Sequence, residues 1–463
     1  MKKALVFIDF DILIRHFIKS GAFSELDNCY DVTYVFHKDS TTDKQGIFSD
    51  VGDLRLKSVQ FLEVPRNRMG QWYHLFIPSM LSRHRGTSNY APALEQMKMS
   101  HTPKMARRYW LLSMPGVLQA FRWFMMLRLG THEPLRELLR REKPDLVIHP
   151  SLLAGYFIND LLLQCKSKSI PLILLMNSWD NPSNKAVTTG MPDKLVVWGD
   201  QTRKHAMQFL GLPPERIEMF GAAQFELYRS PIEQTHEELC SEFQVPTDLP
   251  ILLYSGAARS FNETGHLVMI DEAIERGDIP QCHVLYRPHP WRGRLIDGEK
   301  SLYDVNLKHV TLDPHMDDFY KGITITPRKS LYMADYAITK KLMHLIDALV
   351  SPLSTMMLEA TLHGKPVLAM FVDADPDSAS SKASDVIRRL VYFADFVNKP
   401  GILTCDNLAT FAAQVKKLME ASKNPEISLK LKELASTYTI VDGPPYAARL
   451  VKLADELTEG KSA

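Results

Sequence analysis

A chain of 463 residues is too long for one ordinary domain and long enough for two, each with its own core. Hydrophobic residues at 45% and charged residues at 24% exclude the disordered, fibrous and membrane-embedded classes. A formal net charge of +1 gives no electrostatic case for nucleic acid as a partner, and five scattered cysteines, without metal-ligand spacing, suit a reducing cytoplasm better than a disulfide framework.

The N-terminus has a basic pair, Lys2-Lys3, followed by an apolar run. Asp9, Asp11 and Arg15 interrupt that run, and no small-residue cleavage site comes after it, so a first β-strand over 4–8 is the reading rather than a leader. A helix over 13–19 and strands over 30–36 and 59–64 come next. Residues 66–132 change in character and are rich in Arg, Met and Trp, as in Arg107-Arg108-Tyr109-Trp110 and Phe121-Arg122-Trp123-Phe124-Met125-Met126. Helices are predicted here. They are read as core helices whose arginines snorkel, with a membrane-facing or acceptor-facing patch as the alternative.

A helix over 134–143, a strand over 145–149, a helix over 152–165 and a strand over 171–176 continue the alternation. The polar loop Asn177–Lys185 then succeeds a buried strand. In open α/β sheets ligands bind at the carboxyl ends of strands, which makes this loop a candidate. Two more strands and a helix run to Gly221. From 228 to 250 the texture turns acidic and polar, with three prolines, and an interdomain linker is placed over 229–248. Periodicity restarts with a strand over 251–254, a helix over 266–277, strands over 283–286 and 310–312, and a helix starting in 329–333. Residues 406–457 read as helical. Strands alternating with helices predict parallel sheets. The expected class is α/β, with two Rossmann-like domains facing across a cleft (1–228 and 249–405) and a C-terminal helical segment over 406–463.

The stretch Ala348–Phe371 reads as strand, polar loop, helix, Gly364 stop and strand. Ser354 or Thr355 can cap the helix, and Glu359 sits one turn on, where a carboxylate can hold ribose hydroxyls. Two further loops come directly after strands, 255–259 and 287–290. With parallel strands all three open on one edge. They offer the small residue Gly256 for close backbone approach, the Arg287 guanidinium for phosphate, and His289 stiffened by flanking prolines. That set fits a nucleotide mono- or diphosphate. Walker A and G-x-G-x-x-G patterns are absent. Asp373, Asp375 and Asp377 are read as a solvated acidic loop, and no metal site is expected.

These residues resemble a known group. Ser354-Thr355-x-x-x-Glu359-Ala360 with Gly364-Lys365-Pro366 after it is similar to the S-x-x-x-E-A…G-x-P signature of GT-B glycosyltransferases. Tyr286-Arg287-Pro288-His289-Pro290 resembles the R-x-H-P element of CDP-glycerol glycerophosphotransferases and CMP-Kdo-type transferases of capsule and teichoic-acid assembly. Asn177–Asn181 and Val197–Gln201 look like tokens of bacterial surface-carbohydrate proteins. The second acid of the E-x7-E pattern is not cleanly met, Asp347 or Leu349-Val350-Ser351 standing in the upstream region, so the resemblance carries no stereochemical outcome.

The resemblance implies a cytoplasmic glycosyltransferase of surface polysaccharide assembly. Its donor would be a nucleotide-activated sugar, and no other cofactor is implied. Its acceptor would be a saccharide or lipid-linked, and contact with the inner membrane would be peripheral. Ser354, Thr355 and Glu359 would hold the donor phosphate and ribose, and His289 the nucleotide. Asp180 is the first candidate for the base that activates the acceptor hydroxyl, with Asp9 and Asp11 as competitors. Alternatives of the same fold are a glycerol- or ribitol-phosphate transferase, a UDP-sugar 2-epimerase-like enzyme and a non-catalytic scaffold.

Overall fold

The computed structural model describes residues 1–38, 54–64, 66–151, 153–185, 190–257, 261–290, 292, 294–296, 298–324, 335–376 and 378–460. The expected helix start in 329–333, Asp377, and Ala258-Arg259 of the 255–259 loop lie outside them. The chain divides into two compact units: Met1–Arg229 with Thr437–Ala463, and Ser230–Ser436.

The first unit is built on a seven-stranded sheet. Its strands are β1 (Lys3–Ile8), β2 (Asp31–Lys38), β3 (Val59–Glu63), β4 (Leu146–Ser151), β5 (Leu172–Met176), β6 (Lys194–Val197) and β7 (Ile217–Met219). The order is β3-β2-β1-β4-β5-β6-β7, and every pair is parallel. Val6 lies opposite Tyr34 on one side and Ile148 on the other. A parallel sheet is covered on both faces, so its central strands are unbroken apolar runs such as Ala4–Ile8 and Leu172–Met176, fully buried here. The chain order reverses between β1 and β4, which makes the carboxyl ends of those strands the crevice of the sheet.

The second unit has six strands: β8 (Ile251–Ser255), β9 (His283–Arg287), β10 (Val310–Leu312), β11 (Ala348–Pro352), β12 (Val367–Met370) and β13 (Ile402–Cys405). Their order, β10-β9-β8-β11-β12-β13, is again wholly parallel and places the reversal between β8 and β11. The α/β class with two such sheets, a GT-B-like fold, agrees with the sequence reading.

Local differences have local causes. The helix expected over 152–165 begins only at Ile158. Ahead of it Gly155 takes φ +150°, and a Cβ there would lie 2.0 Å from the Asp9 carboxylate. The helix expected over 13–19 starts earlier, as the α-helical Asp11–Leu13, and continues as the wider turn Ile14–Ile18. The stretch 229–248 contains the helix His236–Phe243, with a Thr235/Glu238 capping box, packed on the helix Tyr336–Leu345. Within 406–463, the helices Phe411–Ala421 and Pro425–Ser436 belong to the second unit. The helix Tyr446–Glu459 belongs to the first, where Tyr446, Leu450 and Leu453 join its core. Helices do fill 66–129, but Trp110, Trp123, Phe124 and Leu127 point outward rather than into a core.

Candidate functional site

At the carboxyl edge of the second sheet, the ends of β8, β9 and β11 are tied to one another. The Gly256 N–H donates to the Arg287 carbonyl (2.9 Å), and the Ser351 hydroxyl donates to the Ser255 carbonyl (3.0 Å). Gly256 is required by close approach: a Cβ would stand 2.5 Å from Glu263 Oε2. The Glu263 carboxylate itself accepts from the Ala257 N–H (3.0 Å) and the Tyr286 hydroxyl (2.6 Å).

A buried ion network lies behind these loops. Arg292 contacts Glu263 at 2.6 Å and also pairs with Glu299, and it donates to the Phe261 carbonyl at 2.9 Å. Burial alone would disfavour the Arg292 charge. The two carboxylates and Tyr286 outweigh it and hold the guanidinium protonated. Glu299 also accepts from the Glu263 and Thr264 N–H groups, so it caps the helix Glu263–Glu275 from outside.

The residues predicted to hold the nucleotide lie at this edge of the second unit. Arg287 is buried, donating to Asp313 Oδ2 (2.9 Å) and Thr339 Oγ1 (3.2 Å). His289 is half-buried, and its carbonyl accepts from the Arg292 N–H at 2.9 Å, across Pro290. The helix Met356–Leu362 starts at Thr355 with no side-chain cap, which corrects the expected capping. The reason is local. Thr355 is already helical (φ −65°, ψ −23°), and the Ser354 hydroxyl bonds the Ser351 hydroxyl at 2.9 Å. Glu359 is buried one turn in, its N–H donating to the Thr355 carbonyl. Asp373 is buried too, not solvated: it accepts from the N–H groups of Asn262 (2.8 Å) and Ala374 (2.7 Å).

The carboxyl edge of the first sheet carries Asp180. Its Oδ2 pairs with Lys185 at 3.1 Å and its Oδ1 accepts from Asn181 at 3.0 Å, within the turn Asn181–Lys185. Trp179 beside it is buried, edge-on to Tyr438 at 5.7 Å, and so serves packing. Asp9 is buried at the end of β1. It meets His149 Nε2 at 3.1 Å and accepts from the Tyr156 N–H at 2.8 Å, closing the entry to the helix Ile158–Lys168. Asp11 is half-buried and turns back onto the Ile12 N–H (2.8 Å); burial raises its pKa. His16, buried, bonds Asn177 Oδ1 at 2.5 Å. Burial, then the neighbouring Arg15, lower its pKa to about 3, which keeps the imidazole neutral.

Sequence reasoning missed His149, His16 and the Glu263–Arg292–Glu299 network. One signal was present for the first. His149-Pro150 ends an apolar strand, much as His289-Pro290 comes just after one in the second unit. Nothing local marks Glu299 as the partner of Arg292. Among the described residues no cluster of His, Cys, Asp and Glu is arranged to hold a metal ion.

The fold is shared with solved enzymes. A Listeria monocytogenes protein assigned as a UDP-N-acetylglucosamine 2-epimerase matches with a TM-score of 0.53 at 12% identity, over 99% of this chain and 97% of that one. A UDP-N-acetylglucosamine 2-epimerase from Rickettsia bellii matches with a TM-score of 0.51 at 14% identity, over 99% and 98%. No family model and no curated protein matches the chain.

Proposed function

We propose that the protein transfers a sugar from a nucleotide-activated donor to a saccharide or lipid-linked acceptor in surface polysaccharide assembly. The observation that carries this reading is the bonding of the carboxyl ends of β9, β8 and β11 at the point where the second sheet reverses. It sets Gly256, Arg287, His289, Ser354, Thr355 and Glu359 on one sheet edge. In this reading Ser354 and Thr355 receive the donor phosphate, and Glu359 accepts from ribose hydroxyls. His289 donates to phosphate or base. Arg287, tied to Asp313, supplies its charge through the rigid corner it holds. Asp180 takes the proton of the acceptor hydroxyl as that oxygen bonds the anomeric carbon, while the bond from that carbon to the donor phosphate breaks and the nucleotide leaves.

A second reading, a UDP-sugar 2-epimerase, is favoured by the two full-length fold matches. Product analysis separates the two. The full chain is incubated with UDP-, CDP-, CMP- and GDP-sugars, with and without a lipid extract as acceptor. Transfer predicts acceptor-dependent nucleotide release, reduced roughly 10²–10⁴-fold by Asp180→Asn. Epimer formed from a UDP-sugar without acceptor supports the second reading. Acceptor-dependent release indifferent to Asp180→Asn removes Asp180 from the mechanism.

A further inference from the structure

The first unit presents an apolar and cationic face that the transfer chemistry does not use. It is formed by the helices Pro103–Leu112 and Pro115–Leu129, which pack on the helix Arg66–His84. Met125 and Leu129 point inward, against Trp72 and Leu75. On the opposite side Trp123 is 66% exposed, Leu127 62% and Phe124 52%, and Val117, Leu111 and Trp110 are exposed as well. Such large apolar side chains are normally scattered singly on a protein surface. Here six are exposed on two consecutive helices.

The charge on this stretch is one-sided. From 96 to 132 there are six basic residues, Lys98, Lys104, Arg107, Arg108, Arg122 and Arg128, and no acidic one, in a chain whose net charge is only +1. Lys104, Arg107, Arg108 and Arg128 are exposed among the apolar side chains.

We infer that the 103–129 face docks on an anionic lipid bilayer, with Trp123, Phe124 and Leu127 entering the interface and Lys104, Arg107 and Arg108 meeting the lipid phosphates. Exposed Trp, Phe and Leu among cations, without a carboxylate, is the composition of an interfacial helix. An acidic protein surface would complement the charges, but it leaves the outward aromatic row unexplained. Among the described residues no helix is long and apolar enough to cross a membrane, so the contact is with the surface.

The test sediments the full-length protein with vesicles of phosphatidylcholine alone, or of phosphatidylcholine with phosphatidylglycerol, at low and high salt. Binding is expected to the anionic vesicles, weakened by salt. Lys104→Gln/Arg107→Gln/Arg108→Gln should lower it roughly 100-fold. Trp123→Ser/Phe124→Ser/Leu127→Ser should lower it by at least about 100-fold. Circular dichroism checks that each variant is folded, and the single Trp123→Ser replaces the triple if the latter is not. Wild-type protein remaining in the supernatant with anionic vesicles overturns the inference. So does equal binding to both vesicle types. Concentration-dependent self-association that the apolar variant abolishes, without vesicle binding, would assign the face to a second copy of the chain instead. No nucleotide is present in the assay, so its failure leaves the donor reading untouched.

Discussion

The carboxyl edges of the two sheets have the same topology and different electrostatics. In the second unit the edge rests on buried ion pairs, Glu263–Arg292–Glu299 with Arg287–Asp313 beside them; burial raises the Glu263 pKa, and Arg292 opposes that. In the first unit the edge has smaller, separate pairs: Asp9–His149, His16–Asn177 and the part-exposed Asp180–Lys185. A buried ion network holds loops in one geometry but tolerates the loss of no member, because each remaining charge is then uncompensated. Small pairs are more easily rearranged.

Removing a member of the network should therefore give the largest effect. Arg292→Met leaves Glu263 and Glu299 buried without a counter-charge and should destabilise the second unit by ~3–5 kcal/mol in urea unfolding. The double variant Arg292→Met/Glu263→Gln should recover part of that loss. An Arg292→Met protein as stable as wild type would erase the distinction between the edges. Asp9→Asn keeps size and should cost about 1–3 kcal/mol, since His149 and the Tyr156 N–H lose a charged partner. A loss equal to that of Arg292→Met would make the first edge a network as well.

The effect of His16 is the smallest near neutral pH and accumulates only in acid. The folded pKa of His16 is about 3, held there by burial and by Arg15, against about 6.5 for an unfolded histidine. Below about pH 6.5 the unfolded chain binds a proton that folded His16 excludes. Stability then falls by about 1.4 kcal/mol per pH unit from this group, until about pH 3. His16→Gln should remove that share of the slope, read from unfolding midpoints between these limits. An unchanged slope would mean that His16 is protonated in the folded state.

Much of the fold was legible because buried parallel strands are continuous apolar runs, and because Gly, Pro and Asn punctuate the turns between them. The loops after β5, β8, β9 and β11 were legible as candidate sites by position alone. The pairing of charges was not. Arg287 reads as a free phosphate fork until Asp313, on another strand's loop, is seen to bind it. Arg292 reads as added positive potential until Glu263 and Glu299 enclose it. Local pattern also misplaced Trp123 and Phe124, since an aromatic helix looks the same whether its apolar side faces a core or water.

The most direct test of the account is a thermal-shift titration of the full-length protein with UDP, CDP, CMP, GDP and ADP. A nucleotide that binds only the folded state at one hundred times its Kd adds about 2.7 kcal/mol of stability. The account predicts such a shift with one of these nucleotides, lost in His289→Ala and Glu359→Gln while both variants remain folded. No shift with any of them, or a shift that survives both substitutions, would contradict the placing of a nucleotide at the edge of the second sheet.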